Sequence, residues 1–278
     1  QLKAEFANLE SLLSSSDNKL SLYQSVILYF QKPLQSYFKQ HKGFHLITSS
    51  QSPVGGGLGG SSSLMISLLK SFAKLCQFQF KDDHHMVQVA HNLEASLLRT
   101  PTGTQDYYPA VSGGINILNY SPDGIQQKIL PVDSNSYLEK HFLLVYTGKS
   151  HHSGINNFEV LKKAVTGDQR TLMALNRVAK IAVETAQLIQ SEDYTKLPDL
   201  FEQEFQARKD LAESFASPEI LKLHQISKEN KGLGLKICGA GGGGCVLLLV
   251  KPEDRNHLIT AIQNNGFQVL PTKPVTLL

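Results

Sequence analysis

Across 278 residues no apolar run approaches the ~20 needed to cross a bilayer. No dense run of lysine and arginine occurs either, and the formal charge is only +3, which speaks against a nucleic-acid partner. The opening QLKAEFANLESLL lacks the basic-then-apolar pattern of a secretory signal. These absences predict a cytoplasmic protein that works on neither membranes nor nucleic acids. Cysteine is scarce. Cys76, Cys238 and Cys245 are odd in number and set among apolar neighbours, which predicts reduced core thiols rather than disulfides. The seven-residue separation of Cys238 and Cys245 matches no common zinc spacing. The adjacent pairs His84-His85 and His151-His152 point about 100° apart on a helix, so they do not converge on a metal. No internal repeat or low-complexity linker is visible, and nothing signals an oligomeric state.

What is present is an ordinary globular composition, 41% hydrophobic and 18% charged, long enough for two packed lobes. We place them at 1–136 and 137–278. Leu20, Tyr23, Val26, Ile27 and Phe30 have helical spacing, and Pro33 interrupts or restarts that helix. FHLITSS (44–50) reads as a strand feeding a glycine loop. From Ser61 to Leu75 the apolar positions mark one helix face, capped by the serines. A further helix, capped by Asp82 or Asp83, runs to Leu98 with the stripe Val87, Ala90, Leu93, Leu97. Residues 99–114 are loop-rich, and INILNY with QQKILPV around SPDG reads as a hairpin. Beyond 137 the order is strand (141–148), helices (154–229), strands (233–239 and 245–250), helix (253–264) and a last extended piece. That is a split βαβ layout, an α+β lobe of its own.

The most informative stretch is PVGGGLGGSSS (53–63). Amides at a helix start lack intrahelical partners, and glycine lets them approach a ligand with no Cβ in the way, an arrangement suited to an anion such as a polyphosphate. The serine hydroxyls that follow can bond phosphate oxygens or ligate Mg²⁺. Gly55-x-Gly57-x-x-Gly60 has the letters of a dinucleotide fingerprint, which would make a dehydrogenase. That motif also needs an acidic residue ending a second strand, and Asp82 opens a helix instead. A Walker A loop is excluded because no Lys-Ser or Lys-Thr follows the glycines.

Glu94 shares the helix face that otherwise buries apolar residues, and a carboxylate there needs a cation or donors. Mg²⁺ bound to ATP would serve; so would an edge position that reaches water or Arg99. Asp106 lies in TGTQDYY, where a carboxylate can orient or deprotonate an acceptor hydroxyl. The alternative is a helix N-cap. Gly239 to Gly244, interrupted by Ala240, exceeds what a hairpin turn requires, which suggests close backbone approach to a ligand.

PVGGGLGGSSS resembles the second signature of the GHMP kinases, P-x-x-x-G-L-x-S-S-A in outline, and KICGAGGGGCVLLLV (236–250) is similar to their third. Within that superfamily TGTQDYY…GGINILNY and SGINNFEVLKKAVTGD most resemble the sugar kinases around D-glycero-D-manno-heptose 7-phosphate kinase. The resemblance implies a two-lobed α+β fold, an N-terminal α/β lobe and a C-terminal ferredoxin-like lobe, and ATP-dependent phosphorylation of a sugar or sugar phosphate. It implies nucleotide binding at Gly55, Gly56, Gly57, Leu58, Gly59, Gly60, Ser61 and Ser62, with Gly241 and Gly242 in the second loop. Mg²⁺ would be held by Ser61 and Glu94, and Asp106 would be catalytic. HSGINN (152–157) would belong to the rim of the site. Gly60 stands where many members have the first serine of the pair. The family's first signature is not found, so the N-terminal lobe is expected to lack its first segment; the chain opens on Gln1. A nucleotide- or sugar-binding regulator without catalysis is the alternative function.

Overall fold

The computed structural model describes residues 4–99, 102–132, 136–150 and 153–273, the side chains of 153–156 apart. By contacts the chain forms two compact units, one of residues 1–49 and 61–113, the other of 50–60 and 114–278. The glycine loop and the hairpin thus count with the second unit, although both precede residue 137; the division at 136/137 remains a proposal about the lobes.

The first unit is helical: α1 (Leu9–Leu13), α2 (Ser21–Tyr29), α3 (Gln31–Phe38), α4 (Gly60–Leu75, all but its first residue), α5 (Asp83–Leu98) and α6 (Tyr107–Ser112). Pro33 lies in the first turn of α3, where a missing N–H interrupts no intrahelical bond, so the helix restarts there. Val26, Ile27 and Phe30 are buried, as are Met65, Leu69 and Phe72 of α4, as their spacing predicts, and Leu34 of α3 is buried too. The rings of Phe30 and Phe72 stack with centroids 5.9 Å apart. Asp82 caps α5 by accepting from the His85 amide at 2.7 Å. Along α5 the buried positions are Met86, Val87, Ala90 and Glu94, while Leu93 is half-buried and Leu97 exposed. The buried stripe therefore runs through the carboxylate and not through Leu97.

Residues 44–50 form no strand. A β-rich stretch needs a neighbour to satisfy its backbone, and none pairs with it among the described residues. Side chains hold the segment instead. The Phe44 ring meets Phe72 edge-on at 5.4 Å, and Tyr23 and Thr48 share a hydroxyl hydrogen bond at 2.9 Å.

The second unit contains β1 (Ile115–Ser121), β2 (Gly124–Leu130), α7 (Tyr137–His141), β3 (Phe142–Tyr146), α8 (Ser153–Val165), α9 (Gln169–Ser191), α10 (Leu197–Leu211), α11 (Pro218–Glu229), β4 (Gly232–Ile237), β5 (Cys245–Val250), α12 (Arg255–Asn264) and β6 (Gln268–Leu270). β1 and β2 make the expected hairpin, closed by Ser121 opposite Gly124. The other strands form one sheet in the order β4-β5-β3-β6, each neighbour antiparallel. β3 and β4 both oppose β5, so they run in the same direction with β5 between them: the split βαβ of a ferredoxin-like lobe. Alternation decides the faces. Leu143, Val145, Leu235, Ile237, Val246 and Leu248 enter the main core with Phe205, Ile220 and Leu258, whereas Phe142, Leu233, Leu247 and Leu249 pack with Leu197 and Phe201. The helix expected from 253 starts as a 3₁₀ turn at Pro252–Asp254 and becomes α-helical at Arg255. Of the final extended piece, three residues are strand, and 274–278 lie outside the described residues.

Candidate active site

The carboxylate on the buried face of α5 does what its position demands. Glu94 is 6% exposed and is met by three hydroxyls: Ser61 donates to Oε1, Ser62 to Oε2 at 3.2 Å, and Tyr107 to Oε2. Neither alternative is realised, since Glu94 does not sit at a wet margin, and Arg99 is the left-handed C-cap that ends the helix. The serines differ from expectation too. α4 begins at Gly60, so Ser61 and Ser62 lie within its first turn and turn their hydroxyls onto Glu94 instead of capping the helix.

Tyr107 escaped the sequence reading. It is fully buried, and burial, then its bond to Glu94, drives its hydroxyl pKa far above the ordinary phenol range. A buried tyrosine needs a partner for its O–H. No spacing rule connects residues 94 and 107 across a loop, so the only available signal was an unpartnered Tyr beside an unpartnered Glu.

Asp106 precedes α6, yet its side chain makes no cap hydrogen bond, which removes the capping explanation. The residue keeps solvent access, while the atoms crowded about its carboxylate desolvate it. That desolvation, and secondarily the Glu94 charge, raise its pKa above the usual aspartate value. Ser61 and Ser62 thus meet Glu94 directly, and Asp106 lies within reach of the Glu94 charge, all within the first unit. All their donor atoms are oxygen, hydroxyl and carboxylate, the hard set that Mg²⁺ prefers and zinc does not.

The glycine loops belong to the second unit. Gly55, Gly57 and Gly59 have φ of 67°, 72° and 65°, a left-handed backbone that an L side chain rarely adopts. Gly56 is buried, its N–H donates to Pro53 O at 3.0 Å, and its carbonyl accepts from the Cys245 amide at 2.8 Å. Among the described residues the amides of Gly57, Leu58 and Gly59 have no protein acceptor. Leu58 is half-buried, and Gly60 follows directly as the first residue of α4. The preceding segment is not a strand and Asp82 is a cap, so a dinucleotide βαβ unit is absent from 44–82.

The second loop behaves differently. A Cβ on Gly241 would come within 2.7 Å of Phe215 O, and one on Gly243 within 2.8 Å of Lys149 O. The Gly242 N–H donates to Phe215 O at 2.9 Å, and the Gly244 N–H to Lys149 O at 2.7 Å. The close approach these glycines permit is therefore to protein backbone. Lys149 pairs with Glu219 at 3.6 Å. HSGINN, placed at the rim of the site by resemblance, enters α8 at Ser153; His151 and His152 lie outside the described residues.

Comparison with known proteins gives the arrangement its class. Residues 21–114 match the GHMP kinases N terminal domain, and residues 192–268 match the GHMP kinases C terminal, together more than half of the chain. Such matches define a kinase. The chain belongs to the GHMP kinase family, with that family's two-lobed α+β fold. It is 26% identical over 251 residues to the D-glycero-alpha-D-manno-heptose 7-phosphate kinase of Campylobacter jejuni, covering 89% of this chain and 72% of that protein. It is 25% identical over 240 residues to the mevalonate kinase of Thermococcus sibiricus, covering 84% of this chain and 68% of the relative. The structure of Lactococcus lactis galactokinase complexed with galactose superposes with a TM-score of 0.72 at 18% identity, over 92% of this chain and 76% of that one, a likeness of fold.

Proposed function

We propose that this kinase transfers the γ-phosphoryl group of ATP, with Mg²⁺, to a hydroxyl of a sugar or sugar phosphate of the heptose-phosphate kind. The observation that carries the reading is the buried Glu94 carboxylate gathered with the Ser61 and Ser62 hydroxyls at the start of the helix that follows a glycine loop. Ser61 and Glu94 would hold the metal, and the amides of Gly57 to Gly59, which have no acceptor among the described residues, with Gly55, Gly56, Gly60 and Ser62, would contribute to binding the phosphates. Mg²⁺-ATP, when bound, supplies the transferable group and neutralises its charge. Asp106 would accept the proton of the attacking hydroxyl; a raised pKa makes its carboxylate a stronger base than an ordinary aspartate. The heptose-phosphate assignment draws on the 26% identity to the Campylobacter jejuni enzyme and on the sequence resemblance.

The test is ADP formation by the purified chain with ATP, Mg²⁺ and a panel of heptose phosphates, hexoses, uronic acids and mevalonate. Turnover with a sugar or sugar phosphate, abolished by Asp106→Ala with ATP affinity kept, is the expected result. Mevalonate as the best acceptor, or nucleotide binding with no ADP from any acceptor, would overturn it.

A further inference from the structure

The second glycine loop is bracketed by groups outside the family signatures. On one side Thr147 Oγ1 donates to Gly244 O at 2.8 Å, and Lys149 O accepts the Gly244 amide. On the other stands Arg208 of α10. Its Nη1 donates to Gly239 O at 2.6 Å, its Nε donates to Glu204 Oε1 at 2.8 Å, and its guanidinium lies 5.8 Å from the centroid of the Phe215 ring. The carbonyl of that same Phe215 accepts the Gly242 amide. Arg208 and the residue it covers therefore hold the loop at both Gly239 and Gly242.

A costly carboxylate maintains this hold. Glu204 is 6% exposed; Arg208 and Lys236 converge on its Oε1, Lys236 at 2.7 Å, while Oε2 has no hydrogen-bond partner among the described residues. A buried carboxylate so incompletely satisfied is a poor source of stability, but it orients a planar guanidinium well. Lys236 neutralises the same carboxylate and, among the described residues, makes no hydrogen bond to Gly239. The two cations thus share a counter-ion and differ in geometry: one fixes the loop, the other only balances charge.

We infer that Arg208 is a positioning residue that sets the conformation of loop 239–244 and, through it, nucleotide binding. The last part rests on the kinase reading above and on the bond from the Cys245 amide, at the end of this loop, to Gly56 O of the first glycine loop. Amide hydrogen exchange and isothermal calorimetry with ATP and Mg²⁺ on the whole chain test it. In Arg208→Ala, exchange at 240–244 should rise at least tenfold, with other segments of both units at wild-type rates. The Kd for ATP should rise about tenfold, and where turnover is measurable KM for ATP should rise with kcat within twofold, a split that general loosening of the fold does not produce. Arg208→Lys keeps the charge but not the fork, so it should stay near the Ala variant; it also serves if the Ala variant does not fold. Lys236→Gln should leave loop exchange unchanged.

Unaltered exchange at 240–244 in a folded Arg208 variant, or an equal rise across the unit, overturns the positioning role. Full rescue by lysine, or an equal effect of Lys236→Gln, shows charge and not geometry at work and also overturns it. Local loosening with unchanged ATP affinity overturns the link to nucleotide binding. If the wild type phosphorylates nothing, the kinase reading fails while the exchange results still decide the role of Arg208 in the loop.

Discussion

Tyr107→Phe removes one oxygen and little else, which makes it the cleanest probe of the cluster. The ring is fully buried and stays in place, so no cavity term of the large-to-small kind arises. What is lost is the donor to Glu94 Oε2, leaving that oxygen with Ser62 at 3.2 Å, a longer bond. A hydrogen bond to a charged group contributes roughly 1.5–3 kcal/mol, and a buried acceptor stripped of a donor bears its own desolvation cost. We therefore expect a loss of about 2 kcal/mol, read by urea denaturation followed through a probe in the first unit. Glu94→Leu removes the acceptor itself, whereas an amide in its place could still accept from Tyr107 through its carbonyl oxygen. A double-mutant cycle of the two should show coupling of at least about 1 kcal/mol. If Tyr107→Phe unfolds within 0.5 kcal/mol of wild type, or if the two changes add independently, the three hydroxyls are not what keeps this carboxylate inside, and the account of the site is wrong.

Two further outcomes follow from the structure. Asp106 has a folded-state pKa above its ordinary value, so ionising it costs stability; that cost is fully present above the folded-state pKa and absent below the ordinary aspartate range near about 4. Asp106→Asn should accordingly raise the melting temperature at neutral pH, with the gain vanishing as the pH falls below about 4, while turnover is lost throughout; melting at or below wild type at neutral pH contradicts the assignment. Gly241→Ala should destabilise more than Gly148→Ala in urea, since both sit at left-handed φ, 72° and 80°, but only the first would drive a Cβ to 2.7 Å from Phe215 O. The left-handed backbone alone costs about 1–2 kcal/mol, and equal losses at both sites would mean the loop yields easily.

Much of this molecule was legible where the signal is local. The face of α4 follows from Met65, Leu68, Leu69 and Phe72 at helical spacing. β5 is an uninterrupted apolar run from Cys245 to Val250, and the β1–β2 hairpin is announced by its Pro-Asp-Gly turn. Glu94 could be singled out because a charge on a burying face is a conflict that demands a partner. Other features depend on groups far apart in the chain. Residues 44–50 have the composition of a strand, but composition does not supply a neighbour to pair with. Tyr107 meets Glu94 across a loop, and Arg208 meets Gly239 from a different helix, so neither follows from any periodicity. Gly241 and Gly243 of the second loop make room for Phe215 and Lys149, contacts that counting glycines does not reveal.

The bond from the Cys245 amide to Gly56 O has a consequence for protein engineering. It welds the two glycine-rich segments at one point, where Cys245 Sγ lies 3.4 Å from the position a Cβ on Gly56 would take. Neither segment is a modular cassette. A transplant of one from a homologue brings a backbone shaped for its own counterpart, and a bulkier residue at 245 would push on the other segment at once. Burial holds this thiol's pKa up at about 12, so at physiological pH it acts as a small apolar spacer rather than a nucleophile. Redesign of acceptor preference in this scaffold should therefore treat residues 53–60 and 238–245 as one unit of exchange.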